Sequence, residues 1–272
     1  GWDWPPGNVV DRQLDLAATE FAPGSETVKD KQVHLAVGLV GYYPAGSTVK
    51  AIADPIQPAL PISLCQRCGS MARIPAVGQR ISCAVCGANA PDYRETELSE
   101  PAGFRTDFRP QDFEGSFTRS ARGSSPRISP AINLMTRAEV RGTLSFSGPG
   151  EVFVVNDNGG RQYRFAPIAN PSEDDKGSWL SVDLQRAGVL GSVVLDQTAI
   201  WEGALGLIKT TDAMLIGPRR TRAGVSYEPF TAAARGAWYS LGFMLRSAAA
   251  RLLDVGVGEL DVGVSLRQLG VQ

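Results

Sequence analysis

The four cysteines of the chain, Cys65, Cys68, Cys83 and Cys86, fall into two C-x2-C pairs separated by fourteen residues. This spacing constrains the fold more than any other feature. Two thiolates two residues apart can reach one ion because the backbone doubles back between them, and two such pairs supply the four sulfur ligands that Zn2+ accepts at about 2.3 Å. A shell closed by four thiolates leaves no position for water. It is therefore a structural zinc site, since a catalytic zinc keeps an open position and draws on histidine or carboxylate, and the only histidine of the chain is His34. Gly69 and Gly87 follow the second cysteine of each pair, where a tight turn calls for a left-handed backbone. Residues 72–77 and 80–82 read as two short strands joined around Val77-Gly78-Gln79, which makes a zinc ribbon of the segment 61–92. Two disulfides, or a redox-active C-x-x-C, are the competing readings, but no signal peptide places the chain in an oxidising compartment.

With 272 residues, 43% of them hydrophobic, the chain can bury one sizeable core or two smaller ones. Its 27 basic and 28 acidic residues nearly cancel, so any nucleic-acid contact must come from a local patch rather than from overall charge. No apolar run approaches the roughly 20 residues that cross a bilayer, and no targeting segment opens the chain, so no membrane contact and a soluble, cytoplasmic protein are expected. The first residue is Gly1, which points to a fragment of something longer. Thirty glycines and eighteen prolines predict many turns and few helices. There is no phosphate-binding loop and no dinucleotide fingerprint. A single histidine, with every cysteine committed, argues against Ser-His-Asp or Cys-His catalysis, so the chain is expected not to be an enzyme.

Residues 9–20, with Val10, Leu14, Ala17 and Ala18, predict a short amphipathic helix stopped by Pro23-Gly24. The loose alternation over 26–40 predicts a hairpin, and the proline-rich stretch 42–60 a connector or edge strands. Residues 109–131 combine glycine, proline and serine with Arg119, Arg122 and Arg127, a long basic loop that either contacts a partner or nucleic acid or simply crosses between domains. Strands are expected over 139–165, with a hairpin turn at 156–160. The loop 168–178 carries Glu173-Asp174-Asp175, which could hold a hard cation or be solvated surface. A further strand is expected over 204–216, then one long helix over 229–253. There Phe230, Ala234, Ala237, Trp238, Leu241, Met244, Leu245, Ala248 and Leu252 recur at helical steps as a core-packing stripe. A last strand is expected over 260–266. The fold class is α+β: mostly antiparallel strands and hairpins, a zinc-ribbon insert, and one long C-terminal helix packed on the sheet. The division expected is a helix-and-hairpin region at 1–60, the ribbon at 61–92 and an α+β domain at 93–272.

Several segments resemble known sequences. Residues 14–26 and 28–33 are similar to a stretch found late in large bacterial DEAD/DEAH-box (superfamily-two) helicases that carry the MrfA-type zinc-binding domain. The run Glu100-Pro101-Ala102-Gly103-Phe104-Arg105-Thr106-Asp107 resembles the E-P-x-G-F-R-T-D motif of those proteins. Residues 210–216, the alanine-rich helix and residues 252–264 resemble the core of the domain itself, and the matching segments follow the family's order. The resemblance implies an accessory region beside a helicase motor domain or subunit, as in the DrmB-like subunits of the DISARM anti-phage system, with a role in antiviral defence or DNA repair. Family members continue into a glycine-rich stretch and a second cysteine cluster, which this chain does not contain. The ribbon cysteines thus correspond to an upstream site.

The function expected is a non-catalytic, zinc-stabilised accessory module that contributes to DNA binding or docks a motor subunit. Arg105 is the first candidate for a phosphate contact, because a guanidinium fork grips phosphate at two points, although it could instead pair with Asp107 to fix a turn. Arg219, Arg220 and Arg222 form a compact basic loop, and Arg119, Arg122 and Arg127 are the remaining candidates. The alternative is a pure protein-interaction scaffold that touches no nucleic acid.

Overall fold

The computed structural model describes residues 10, 13–46, 48–107, 110–116, 127–128, 136–140, 143–218 and 228–266. In chain order the elements are helix α1 (Leu14–Glu20), then strands β1 (Glu26–Lys29), β2 (Gln32–Leu39), β3 (Tyr42–Ala45), β4 (Thr48–Ala51), β5 (Ala59–Cys65), β6 (Met71–Arg73), β7 (Tyr93–Ser99) and β8 (Phe104–Thr106). These are followed by β9 (Gln111–Asp112), β10 (Arg127–Ile128), β11 (Thr136–Val140), β12 (Thr143–Asn156), β13 (Tyr163–Pro167), β14 (Trp179–Ser181), helix α2 (Val182–Arg186), strand β15 (Trp201–Pro218) and helix α3 (Ala232–Leu253). The class is α+β, with antiparallel pairing dominant and α3 the one long helix among the described residues. The chain divides into two compact units, one of 1–60, 97–123 and 155–207, the other of 61–96, 124–154 and 208–272.

In the first unit, β1 and β2 form the expected hairpin, with Lys29 opposite Gln32. Its two-residue turn, Asp30-Lys31, holds both residues at positive φ, 51° and 62°. That is the primed-turn conformation that suits the twist of the strands and is usually left to asparagine or glycine. β2 continues into a sheet in the order β1-β2-β14-β13-β15. β8 also pairs with β2, with a bulge between Ala36 and Gly38. The extra residue breaks the two-residue alternation, so Val37 and Leu39, which would otherwise share a face, enter different apolar clusters. Leu39 joins Ala22, Ile56, Tyr163, Phe165 and Leu205; Val37 joins Ala166, Leu180, Val182 and Leu195. Phe165 stacks between Tyr163 and Trp201 with ring centroids 6.1 Å from each. β3 and β4, in the stretch expected to be a connector or edge strands, make a separate two-stranded ribbon.

The turn at 156–160 does not join a hairpin. β13 pairs with β14 and β15, whereas β12 pairs with β10, β11 and β15. Asn156 is drawn inward, donating from Nδ2 to the Ala18 carbonyl at 2.9 Å and accepting from the Tyr163 hydroxyl at 3.1 Å. A buried amide satisfied in this way anchors the chain at a change of direction, and the turn signal marked that corner instead of a strand pairing.

In the second unit, β7, β5 and β6 are neighbours in that order, and β10 and β11 pair antiparallel with β12. α3 begins one residue after Thr231, whose hydroxyl accepts from the Ala234 N–H at 3.1 Å, so Pro229 lies before the N-cap instead of in the first turn. The helix ends at Asp254, in the left-handed conformation at φ 54°. The expected apolar stripe does not pack a core: of its residues in α3 only part is half-buried, and Met244 and Leu252 are 70% and 86% exposed. Residues 260–266 are not a strand either. Gly256 and Gly258 precede the segment and Gly263 lies within it, and it joins no strand ladder.

Candidate metal centre

β5 delivers Cys65 as its last residue, and β6 returns antiparallel on it with Leu64 opposite Met71. Cys68 lies in the turn between them. Within that turn the Cys65 N–H donates to the Ser70 carbonyl at 3.0 Å and the Gly69 N–H donates to the Cys65 carbonyl at 2.9 Å. The second pair repeats the arrangement: the Cys83 N–H donates to Ala88 at 2.8 Å and the Gly87 N–H to Cys83 at 2.9 Å. Gly69 and Gly87 hold φ at 76° and 71°, the left-handed conformation expected of them. The ribbon hairpin is therefore β5-β6, astride the first knuckle, and not 72–77 against 80–82. Beyond β6 the chain turns, and only Ser82 bridges back, to Asn89.

The two knuckles bring four sulfurs together. Cys65 and Cys86 Sγ lie 3.6 Å apart, Cys68 and Cys83 Sγ 3.7 Å apart, and all four fall within 4.8 Å of one another. A tetrahedron with zinc-sulfur bonds of about 2.3 Å has edges of about 3.8 Å, whereas a disulfide needs about 2.05 Å. The thiols are free, and their separations fit a shared ion, not a bridge. Among the described residues this is the one cluster of three or more potential metal ligands.

The surroundings are apolar. Ala88 and Tyr93 are buried with Cys65, Cys68 and Cys83, and Val85, Phe230 and Leu266 pack against them. The Arg67 guanidinium sits 4.6 Å above the Phe230 ring, and the Leu266 N–H donates to the Cys68 carbonyl at 2.7 Å. Burial pushes the Cys65 thiol well up, and the Cys68 thiol up to about 11. Burial also acts on Cys83, but there the Ser70 hydroxyl and the N–H groups of Cys86 and Val85 outweigh it and bring the thiol down to about 7. Cys83 thus gives up its proton more readily than Cys65 or Cys68, and thiolates are what a metal binds.

Glu95 shapes the rest of the ribbon. Its Oε2 accepts from the Gly78 and Gln79 N–H groups at 2.6 and 2.8 Å, and its Oε1 accepts from the Arg80 N–H at 3.1 Å and from the Tyr93 hydroxyl at 2.9 Å. One carboxylate therefore holds three consecutive amides of the tip, where Ile81 stands 87% exposed. Glu95→Ala is expected to loosen residues 75–81, costing about 1–2 kcal/mol because the bonds are charge-assisted but partly solvated. Hydrogen exchange at the 78–80 amides checks it: protection should fall there while that of β5 persists.

Of the seven arginine candidates, Arg105 is the one described with its side chain. Arg105 is 8% exposed, and its Nη2 pairs with Asp175 Oδ1 at 2.6 Å while its Nη1 bonds the Ser178 hydroxyl. A guanidinium so enclosed offers no fork to a phosphate, which corrects its assignment as a DNA contact. It does not pair with Asp107 either. Asp107 accepts instead from the Leu35 N–H at 3.2 Å, and burial raises its pKa. The acidic loop is engaged with the chain's own cations, Asp175 with Arg105 and Glu173 with Lys176 at 2.6 Å. Gly177 lets the loop reach this position, since a Cβ there would collide with the Ile52 carbonyl. Arg127 is described only in its backbone, opposite Phe153. Arg119, Arg122, Arg219, Arg220 and Arg222 lie outside the described residues. Sequence reasoning missed Glu95 and the Asp175-Ser178 receptor of Arg105, because an acidic residue in a strand and another in a polar loop look like ordinary surface.

None of the helices formed by the described residues is long and apolar enough to cross a membrane. Comparison of the chain with family models, with curated proteins and with solved structures gave no match in any of the three.

Proposed function

We propose that the chain is a non-catalytic accessory module, held together by one structural zinc on Cys65, Cys68, Cys83 and Cys86, that serves a DNA helicase motor domain or subunit. The observation that carries the zinc is the sulfur tetrahedron, with separations of 3.6 and 3.7 Å across the two knuckles. Zinc on four thiolates has no open position, so its role here is to fix the ribbon. The helicase association, and with it antiviral defence or DNA repair in the cytoplasm, rests on the sequence resemblance along the chain. DNA contact is assigned to the Arg219, Arg220 and Arg222 segment, with Arg119, Arg122 and Arg127 in support, now that Arg105 is committed to Asp175.

Charge reversal at Arg219 and Arg220 together tests this assignment. In the parent complex the double variant should bind all DNA sequences more weakly and flatten the plot of log K against log salt by about one unit per lost phosphate contact. Unchanged affinity and slope in a folded variant would move the weight to the second reading, a protein-interaction scaffold. One observation favours that reading on its own account: the exposed apolar residues of α3, which no charge pattern explains.

A further inference from the structure

Among the described residues, α3 makes its packing contacts through one side. Gly242 lies against Val262, where a Cβ would come within 2.5 Å of the valine Cγ1; Arg246 Nε donates to the Val257 carbonyl at 2.8 Å; Ala250 is buried and Trp238 half-buried. Those four positions repeat every fourth residue and mark the inner face. On another face lie Ala237, Leu241, Met244, Leu245, Ala248 and Leu252, all exposed. They recur at three- and four-residue steps as a single stripe that contains no charged residue.

The sizes along this stripe are self-complementary. Positions equidistant from the midpoint between Met244 and Leu245 couple Ala237 with Leu252, Leu241 with Ala248, and Met244 with Leu245. If two copies of the helix cross antiparallel at that midpoint, each alanine of one faces a leucine of the other. Large opposite small is the alternation that fills an interface without voids. A parallel pairing would set leucine on leucine and alanine on alanine and would bring the two Arg251 residues side by side. In the antiparallel pairing they lie about 20 Å apart along the axis at 1.5 Å rise per residue, beyond the Debye length of about 8–10 Å.

We propose that α3 is a self-association surface, on which the α3 of a second copy lies antiparallel about a two-fold axis between Met244 and Leu245. Such an interface is isologous and closes as a dimer. The inference goes beyond the accessory-module reading and does not depend on DNA or on a motor subunit.

Sedimentation of the full chain in its zinc-loaded form tests the pairing, with three proteins compared: the unaltered chain, Leu241→Lys, and Leu241→Lys combined with Ala248→Glu. Circular dichroism and zinc content monitor folding, and the altered positions are exposed. The unaltered chain should sediment as a dimer. Leu241→Lys should weaken it by about a hundredfold, since a charge is driven into an apolar contact. The double variant should recover most of that loss, because each introduced charge meets its opposite on the other copy only in the antiparallel register. A monomeric unaltered chain at high micromolar concentration, a dimer indifferent to Leu241→Lys, or a double variant that stays dissociated would each overturn the proposal. So would a monomer that binds vesicles of anionic lipid through the same stripe.

Discussion

Replacing Cys83 with serine is expected to strip the chain of its metal and unfold the ribbon. Cys83 is the sulfur that Ser70 and the Val85 N–H stabilise, and its thiol is brought down to about 7 while those of Cys65 and Cys68 are pushed up. A hydroxyl in its place leaves three thiolates and a poor fourth ligand. Disturbing a group that merely supports a ligand lowers metal affinity about 10–100-fold, and loss of the ligand itself should exceed that. Structural zinc in small peptides carries apparent binding energies of about 10–16 kcal/mol that double as folding energy. The loss should therefore appear both in metal content and in thermal stability. Because Phe230 and Leu266 pack against the cysteines, protection should also fall at the start of α3 and along 260–266. Metal analysis and a melt, each with and without chelator, check the result. Unchanged zinc content and stability would mean that the site is misassigned.

The second large effect is expected at Arg105. Removing one partner of a buried ion pair costs about 3–5 kcal/mol, because the other charge is left without compensation. Asp175 retains 24% exposure, and water reaching it trims the expectation for Arg105→Met to about 2–4 kcal/mol. For a chain of this size that is a fall in Tm of roughly 5–15 °C. Asp175→Asn combined with Arg105→Met should cost much less than the two single changes added together, the mark of a direct coupling. If Arg105→Met left the fold intact and weakened DNA binding instead, the residue would belong to the interface first expected of it.

The parts of the fold that the sequence made legible are those where one local rule decides the outcome. The two C-x2-C pairs each impose a turn closed by Gly69 or Gly87, so the four-cysteine cluster could be placed before any tertiary contact was considered. The β1-β2 hairpin, the long β15 and α3 follow from apolar periodicity in the same way. What was not legible depends on partners distant in sequence. Arg105 meets Asp175 and Ser178 some seventy residues later, and Glu95 caps amides fifteen to seventeen residues earlier. Neither pairing leaves a mark on periodicity or composition. The Asn156–Gly160 turn misled because turn residues report a change of direction, while strand pairing is decided by what lies beyond. The α3 stripe misled for a related reason: a helical apolar period shows that a face is to be covered, and says nothing of which molecule covers it.

The proposed module stands on four thiolates that hold one zinc ion as a closed structural site. X-ray absorption at the zinc edge on the purified chain, together with its zinc-to-protein ratio, tests that claim most directly. One zinc per chain is expected, with four sulfur neighbours at about 2.3 Å and no nitrogen or oxygen bound to it. A metal-free chain whose four cysteines are oxidised to two disulfides, or a zinc bound through nitrogen or oxygen, would contradict it.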